Sequence, residues 1–350
     1  MVKIAFALPV PNSKIIGGYK MVYEYANYIA RQGYDVSVIY NAHGGDNSIK
    51  VPRILVYLIR LYIGKTGPAW FRLDKRIHKI VHYNYGAHSF DGFDIVVATA
   101  TETAEYVALA PGKKFYFVQD YENWGRTSEE VDRTFNLDFD IITISKWLQQ
   151  KIETVSDKKT VYIPNGINRK VFSESIPYER RQAHSVAMLY HDDPRKGCDV
   201  AMKVLYRLHE KYNDFNAFLF GSPKKDENWP SLIHYISKAS AREVSGMMNS
   251  ARVFLCTSRQ EGFGLTGLES IFCGCVLVTT DCYGIREYAS EENAYLCVID
   301  DTEQIFQSVC RAFEEENENL SKRRKCKNVI AKFDAARSRK KFMSTLLSDS

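Results

Sequence analysis

The stretch SRQEGFGLTGLESIFCGCVLVTT, residues 258–280, decides how this chain folds. It follows RVFLCT (252–257), an apolar run that reads as a buried strand, and it ends in a second such run, CVLVTT. Between the two, a glycine-rich turn leads into the helical pattern GLESIFCG. Strand, turn, helix and strand, with both strands apolar throughout, is the repeating unit of a parallel sheet covered on both faces. The turn presents backbone N–H groups beside the positive end of a helix, a site for a phosphate or an electronegative sugar oxygen. Glu261 and Glu269 bracket it with seven residues between them. With the helix starting near Leu265, Glu269 is expected two turns into it. Carboxylates accept hydrogen bonds from vicinal hydroxyls, so the pair suits a sugar nucleotide. Spacing alone equally allows a helix-terminal acid and a surface residue.

Working outward, the second half repeats this unit. HSVAMLYH, FNAFLFG and YLCVI read as strands, GCDVAMKVLYRLHEKY and AREVSGMMNSA as helices, and a charged helix begins near Thr302. The first half is of the same type. VKIAFALP, DVSVIY, FDIVVATA, KKFYFVQD and FDIITIS are strand candidates. YKMVYEYANYIARQG puts Met21, Val22, Tyr25, Ala26, Ile29 and Ala30 on one helical face and stops at Gly33. SKWLQQKIETV reads as a helix capped by Ser145, and TVYIPNGIN closes the half with a Pro-Asn-Gly turn. The expected fold class is α/β, with two doubly wound Rossmann-like domains facing a central cleft. The expected boundaries are 1–168, 169–335, and a C-terminal helix or tail at 336–350 that packs back on the first domain.

The bulk numbers agree with two domains, since 350 residues exceed one ordinary core. A hydrophobic content of 45% and a charged content of 25% are those of a soluble globular protein. A net charge of +5 is too small to argue for nucleic acid, and no recognition motif accompanies it. The charge is concentrated, however: Lys50, Arg53, Arg60, Lys65, Arg72, Lys75, Arg76 and Lys79 face one acid, Asp74. Residues 50–80 are also rich in Leu, Ile and aromatics. They read either as a surface for an anionic membrane or as a pair of core-facing helices with solvated lysines. All eight cysteines lie between Cys198 and Cys326, mostly in apolar runs, and read as reduced core thiols. CGC at 273–275 lacks the paired cysteines and histidines of a zinc site. The chain opens directly on a strand pattern and has no apolar run of about 18 residues. The expected location is therefore cytoplasmic, with peripheral attachment to the inner face of the cell membrane through 50–80.

SRQEGFGLTGLESIFCGCVLVTTDCYGIREYA, the early Gly17-Gly18 pair, IPNGIN at the junction, RKG opening the second domain and FLFG come in a fixed order. Together they resemble the retaining GT-B glycosyltransferases of the GT4 type, with their E-x7-E region, over most of the chain. The resemblance implies transfer of a sugar, with retention, from a nucleotide-diphosphate sugar to a glycan or lipid-linked acceptor, as in bacterial surface polysaccharide synthesis. It implies that Glu261 holds the donor sugar's hydroxyls and Glu269 the ribose hydroxyls. The backbone of Gly262, Phe263, Gly264 and Leu265 would surround sugar and phosphates. Lys196 would neutralise the leaving diphosphate, and Gly17 and Gly18 would let the first-domain loop approach it. No metal or other cofactor is expected, because the family carries this charge on cations.

One position departs from the pattern. Five residues before the lysine, where the family has an arginine, stands His191. Either Arg195 substitutes for it or His191 binds phosphate itself, as a neutral donor or a cation. FVQDYE, followed by ITISKWL, is similar to a rhamnan-type rhamnosyltransferase branch. There Asp120, at a strand end, would orient a hydroxyl or merely close the next loop. A non-catalytic GT-B accessory protein and a GT-B sugar-nucleotide epimerase are the rival readings.

Overall fold

The computed structural model describes residues 1–43 and 52–348. The chain divides into two compact units, Met1–Pro164 with Ser338–Ser350, and Asn165–Arg337. Each is built on a parallel sheet. The first has strands β1 (Lys3–Leu8), β2 (Asp35–Asn41), β3 (His78–His82), β4 (Ile95–Ala98), β5 (Lys113–Val118), β6 (Asp140–Thr143) and β7 (Thr160–Tyr162). Their order across the sheet is β3-β2-β1-β4-β5-β6-β7. The second has β8 (Ser185–Tyr190), β9 (Asn216–Gly221), β10 (Ile233–Ser237), β11 (Val253–Cys256), β12 (Val276–Thr280) and β13 (Ala294–Cys297), ordered β10-β9-β8-β11-β12-β13.

Both sheets reverse their winding once, between β1 and β4 and between β8 and β11. In such sheets, ligands bind beyond the strand C-termini at the reversal. The apolar runs explain the central positions. Ile4 pairs with Val36 on one side and Ile95 on the other, and Val253 lies between Val186 and Val276. A strand with neighbours on both edges and helices on both faces must be apolar throughout, and Val276–Thr280 is buried along its whole length. The helix Gly17–Arg31 buries all six residues of the face expected for it. Tyr25 of that face stacks on Phe342 of the last helix, Ala335–Leu347, with ring centroids 4.0 Å apart. Arg339 reinforces this contact by donating to Glu24 over 2.8 Å.

Three expectations change. Residues 50–80 are not a pair of helices: one helix spans Arg53–Thr66, and the segment ends in strand β3; Lys50 and Val51 lie outside the described residues. Strands β3 (HKIVH) and β10 (IHYIS) had no counterpart in the reading; both are short edge strands of mixed burial, so neither carries an unbroken apolar run. Ser145 does occupy the N-cap of Lys146–Val155, but its side chain makes no capping bond and its Oγ is buried without a hydrogen-bond partner among the described residues. Thr127 and Ser240 do cap, accepting from Glu130 and Glu243, whose carboxylates return the bond.

In the second unit, Arg181 is fully buried and holds the sheet's N-terminal edge together. Its guanidinium donates to the carbonyls of Ile176 (2.9 Å), Ala251 (3.0 Å) and Cys273 (2.6 Å). Cys273 ends the helix Leu265–Phe272, so the same arginine anchors the back of the site helix. All eight cysteines are buried free thiols.

Candidate functional site

Strands β8 and β11 are neighbours, and the turns that leave their C-termini meet. After β8 the chain forms a tight turn, Pro194–Lys196, ending at Gly197. Gly197 has φ +60°, and a Cβ there would collide with the carbonyl of Thr257, whose Oγ1 donates to Gly197 O over 2.9 Å. Only glycine satisfies both demands. After β11, Glu261 reaches back to this turn. Its Oε1 accepts from Lys196 Nζ at 2.8 Å and from Ser258 Oγ at 2.7 Å. The pair is shielded, with side-chain exposures of 26% for Lys196 and 12% for Glu261, enough water contact to keep it only partly desolvated.

The glycine turn beside Glu261 is held from the far side by YGIRE. Gly284 N donates to Glu261 O over 3.1 Å, and Gly284 lies so close to Gly262 O that a side chain there would collide with it. Gly264 has φ +77° and caps the helix Leu265–Phe272; Tyr288 donates to its carbonyl. Burial pushes the Tyr288 hydroxyl well above its usual range, so it acts as a fixed donor. Phe263 turns inward and packs on Tyr288 and Phe333, leaving its backbone rather than its ring for any ligand.

Glu269 is buried, 4% exposed, in the helix that starts at Leu265. It therefore lies four residues in, just over one turn, and not the two turns expected. Arg195 spans Asp193 with Nε at 3.1 Å and Nη2 at 2.5 Å, which fixes its guanidinium inside its own turn. His191 follows β8, and its Nδ1 accepts the N–H of Asp193 at 2.9 Å. A neutral ring so bonded carries its proton on Nε2.

The remaining candidates sit in the first unit past strand ends, Gly17 and Gly18 after β1 at that sheet's reversal and Asp120 after β5. Gly17 and Gly18 open the helix Gly17–Arg31, and the Gln119 amide lies where it would meet a Cβ on Gly18 at 3.3 Å. Asp120 Oδ1 accepts from Tyr121 N at 2.8 Å, a bond that shapes its own loop. Two residues on, Glu122 accepts from Thr101 N at 2.7 Å, and burial raises its carboxyl to about 7. Glu122, Thr257, Ser258, Arg259 and Tyr288 join the site in the fold without a site motif of their own in the sequence. Ser258 and Arg259 stand inside the quoted stretch; Ser258 acts on Glu261 three residues on, whereas Arg259 acts on a turn about 60 residues away, which no local pattern reveals.

Residues 181–315 match the family profile "Glycosyl transferases group 1". An uncharacterized glycosyltransferase of Haemophilus influenzae is 24% identical over 303 residues, covering 80% of this chain and 82% of that protein. Among solved structures, sucrose-phosphate synthase from Thermosynechococcus elongatus superposes with a TM-score of 0.76 at 12% identity, covering 99% and 98% of the two chains. Anabaena HepE in complex with UDP and glucose gives 0.74 at 14% identity over the full length of both. The fold is thus that of the GT-B glycosyltransferases, and the comparisons support a glycosyltransferase.

Proposed function

We propose that this protein transfers a sugar, with retention of configuration, from a nucleotide-diphosphate sugar to a glycan or lipid-linked glycan, in bacterial surface polysaccharide synthesis. The observation that carries this reading is the Lys196–Glu261 pair, 2.8 Å apart beside a glycine turn at the reversal of the second sheet. A cation fixed there lowers the barrier for loss of a diphosphate, on which negative charge grows as the glycosidic bond breaks. The neighbouring carboxylate accepts from the sugar's hydroxyls, and the turn's backbone approaches sugar and phosphate. Glu269 takes the ribose hydroxyls. Arg195 holds the turn through Asp193, so the second diphosphate contact falls to His191 as a neutral Nε2–H donor. Within the first unit, Gly17 and Gly18 leave the start of their helix open to an anionic group, and Asp120 orients a hydroxyl. The acceptor hydroxyl attacks on the face the diphosphate leaves, and a departing phosphate oxygen takes its proton; Glu261 positions and does not form a covalent bond.

The protein also docks on anionic membrane through 50–80 in this reading. Helix Arg53–Thr66 turns Ile54, Leu55, Leu58, Ile59 and Tyr62 to solvent, each at least 46% exposed, with Arg53 and Lys65 beside them. No helix of the described residues is long and apolar enough to cross a membrane.

The test is thermal stabilisation by UDP-, GDP-, dTDP-, ADP- and CMP-sugars, followed by transfer assays with the donor that binds. Stabilisation by dTDP-rhamnose alone supports the rhamnosyltransferase branch. A flat panel, or unchanged transfer in Glu261→Ala, refutes the catalytic reading. Leu55→Asp/Ile59→Asp should lose sedimentation with phosphatidylglycerol vesicles while keeping donor binding; retained sedimentation rules out that surface.

A further inference from the structure

We infer that Arg259 is a positioning residue of the donor site: it fixes the turn carrying Lys196 against the strand end carrying Glu261. The inference rests on the donor reading above. Arg259 stands two residues before Glu261 and touches three separate segments. Its backbone N–H donates to Arg195 O over 2.7 Å, and its Nη1 donates to Pro194 O. Nη2 donates to Asp199 Oδ2 at 2.9 Å, in the first turn of the helix Cys198–Lys211. Nε lies 2.8 and 3.0 Å from the two oxygens of Asp300, beyond β13. Every nitrogen of the fork is engaged, and the two ends of the turn that presents Lys196 are both held.

The strain nearby points the same way. Asp300 has φ +64°, a left-handed conformation uncommon for a residue with a side chain. Its carboxylate is the one that grips Nε, so the strained residue is placed where it serves the arginine. The Arg259 hydrogen bond also holds the Asp199 carboxyl below the usual range. A lysine has one point charge in place of the planar fork and cannot span Pro194, Asp199 and Asp300 together. Lys196 Nζ meets Glu261 only if its turn and the strand end keep their present spacing. Thr257 Oγ1 bridges them at one point, Gly197 O, whereas the Arg259 guanidinium grips the turn, the helix behind it and the loop after β13 together, all through partners other than the reacting groups.

The experiment is a double-mutant cycle in the full chain between Arg259→Ala and Lys196→Met, read as affinity for UDP, GDP and dTDP by calorimetry. If Arg259 acts through Lys196, Arg259→Ala weakens diphosphate binding about tenfold in the parent and less than about twofold in the Lys196→Met background. Equal losses in both backgrounds overturn the inference, since a merely structural arginine would weaken each alike. Asp300→Asn, a milder change, should give a smaller loss with the same non-additivity and stands in if Arg259→Ala does not fold; additivity there is equally fatal. Failure of the parent to bind any of these three, or ADP or CMP, overturns the donor reading and this inference with it. Binding by the parent with additive losses overturns the inference alone.

Discussion

Glu261→Gln should move two measurements in opposite directions. Lys196 Nζ is paired with Glu261 Oε1 at 2.8 Å, so a diphosphate must compete with that carboxylate for the cation. Glutamine keeps an acceptor for Ser258 Oγ but removes the negative charge. At 2.8 Å and with the dielectric constant of water, the lost attraction is about 1.5 kcal/mol, and the partial shielding of the pair, which lowers the effective dielectric, makes this a lower bound. Released from it, Lys196 should bind a nucleoside diphosphate about tenfold more tightly at low salt, where 1.4 kcal/mol is a factor of ten. The gain should shrink as ionic strength rises. Transfer should fall by about 10² or more, because the carboxylate that grips the sugar's hydroxyls in the transition state is gone. Titrating UDP, GDP and dTDP by calorimetry, beside initial rates with the cognate donor, reads both. Weaker diphosphate binding in Glu261→Gln would refute the competition argument, and unchanged transfer would refute the role given to Glu261.

Two further changes test how the site is held. Arg181→Met should destabilise the second unit by about 3–5 kcal/mol, since it strands the buried carbonyls of Ile176, Ala251 and Cys273 without their donor. Urea unfolding measures it, and a loss under about 1 kcal/mol would mean these carbonyls find other partners. Glu122→Gln addresses pH. Burial raises the Glu122 carboxyl from 4.5 to about 7, so the folded state prefers its protonated form. Its contribution is intact below pH 4.5 and is lost as pH rises toward 7, a span worth up to about 3 kcal/mol. Glutamine still accepts from Thr101 N but does not titrate. The difference in melting temperature between Glu122→Gln and the parent should therefore grow from pH 5 to pH 7.5 and then level off. A constant difference contradicts the raised carboxyl.

What could be read from the sequence follows from how local each signal is. A central parallel strand is buried on both faces, so VLVTT and KIAFAL announce themselves as unbroken apolar runs. An edge strand has one neighbour and a partly wet face, and HKIVH and IHYIS carry no such mark. The same division runs through the site. Glu261 and Lys196 were visible because each belongs to a patterned turn, but their contact was not, since it joins positions 65 apart. The glycines were visible, yet each is also hemmed in by a distant atom: Thr257 O at Gly197, Ile285 Cδ1 and Tyr288 Oη at Gly264, Gly262 O at Gly284. Arg259 is the sharpest case. Within SRQE it reads as an exposed arginine next to a better-marked glutamate. Its partners, Pro194, Asp199 and Asp300, come from the turn after β8, the start of a helix and the loop after β13. Those segments become neighbours only because β8, β11, β12 and β13 lie side by side in the sheet. The strands were legible one at a time, and their side-by-side order is what turns an unremarked arginine into the brace of the Lys196 turn.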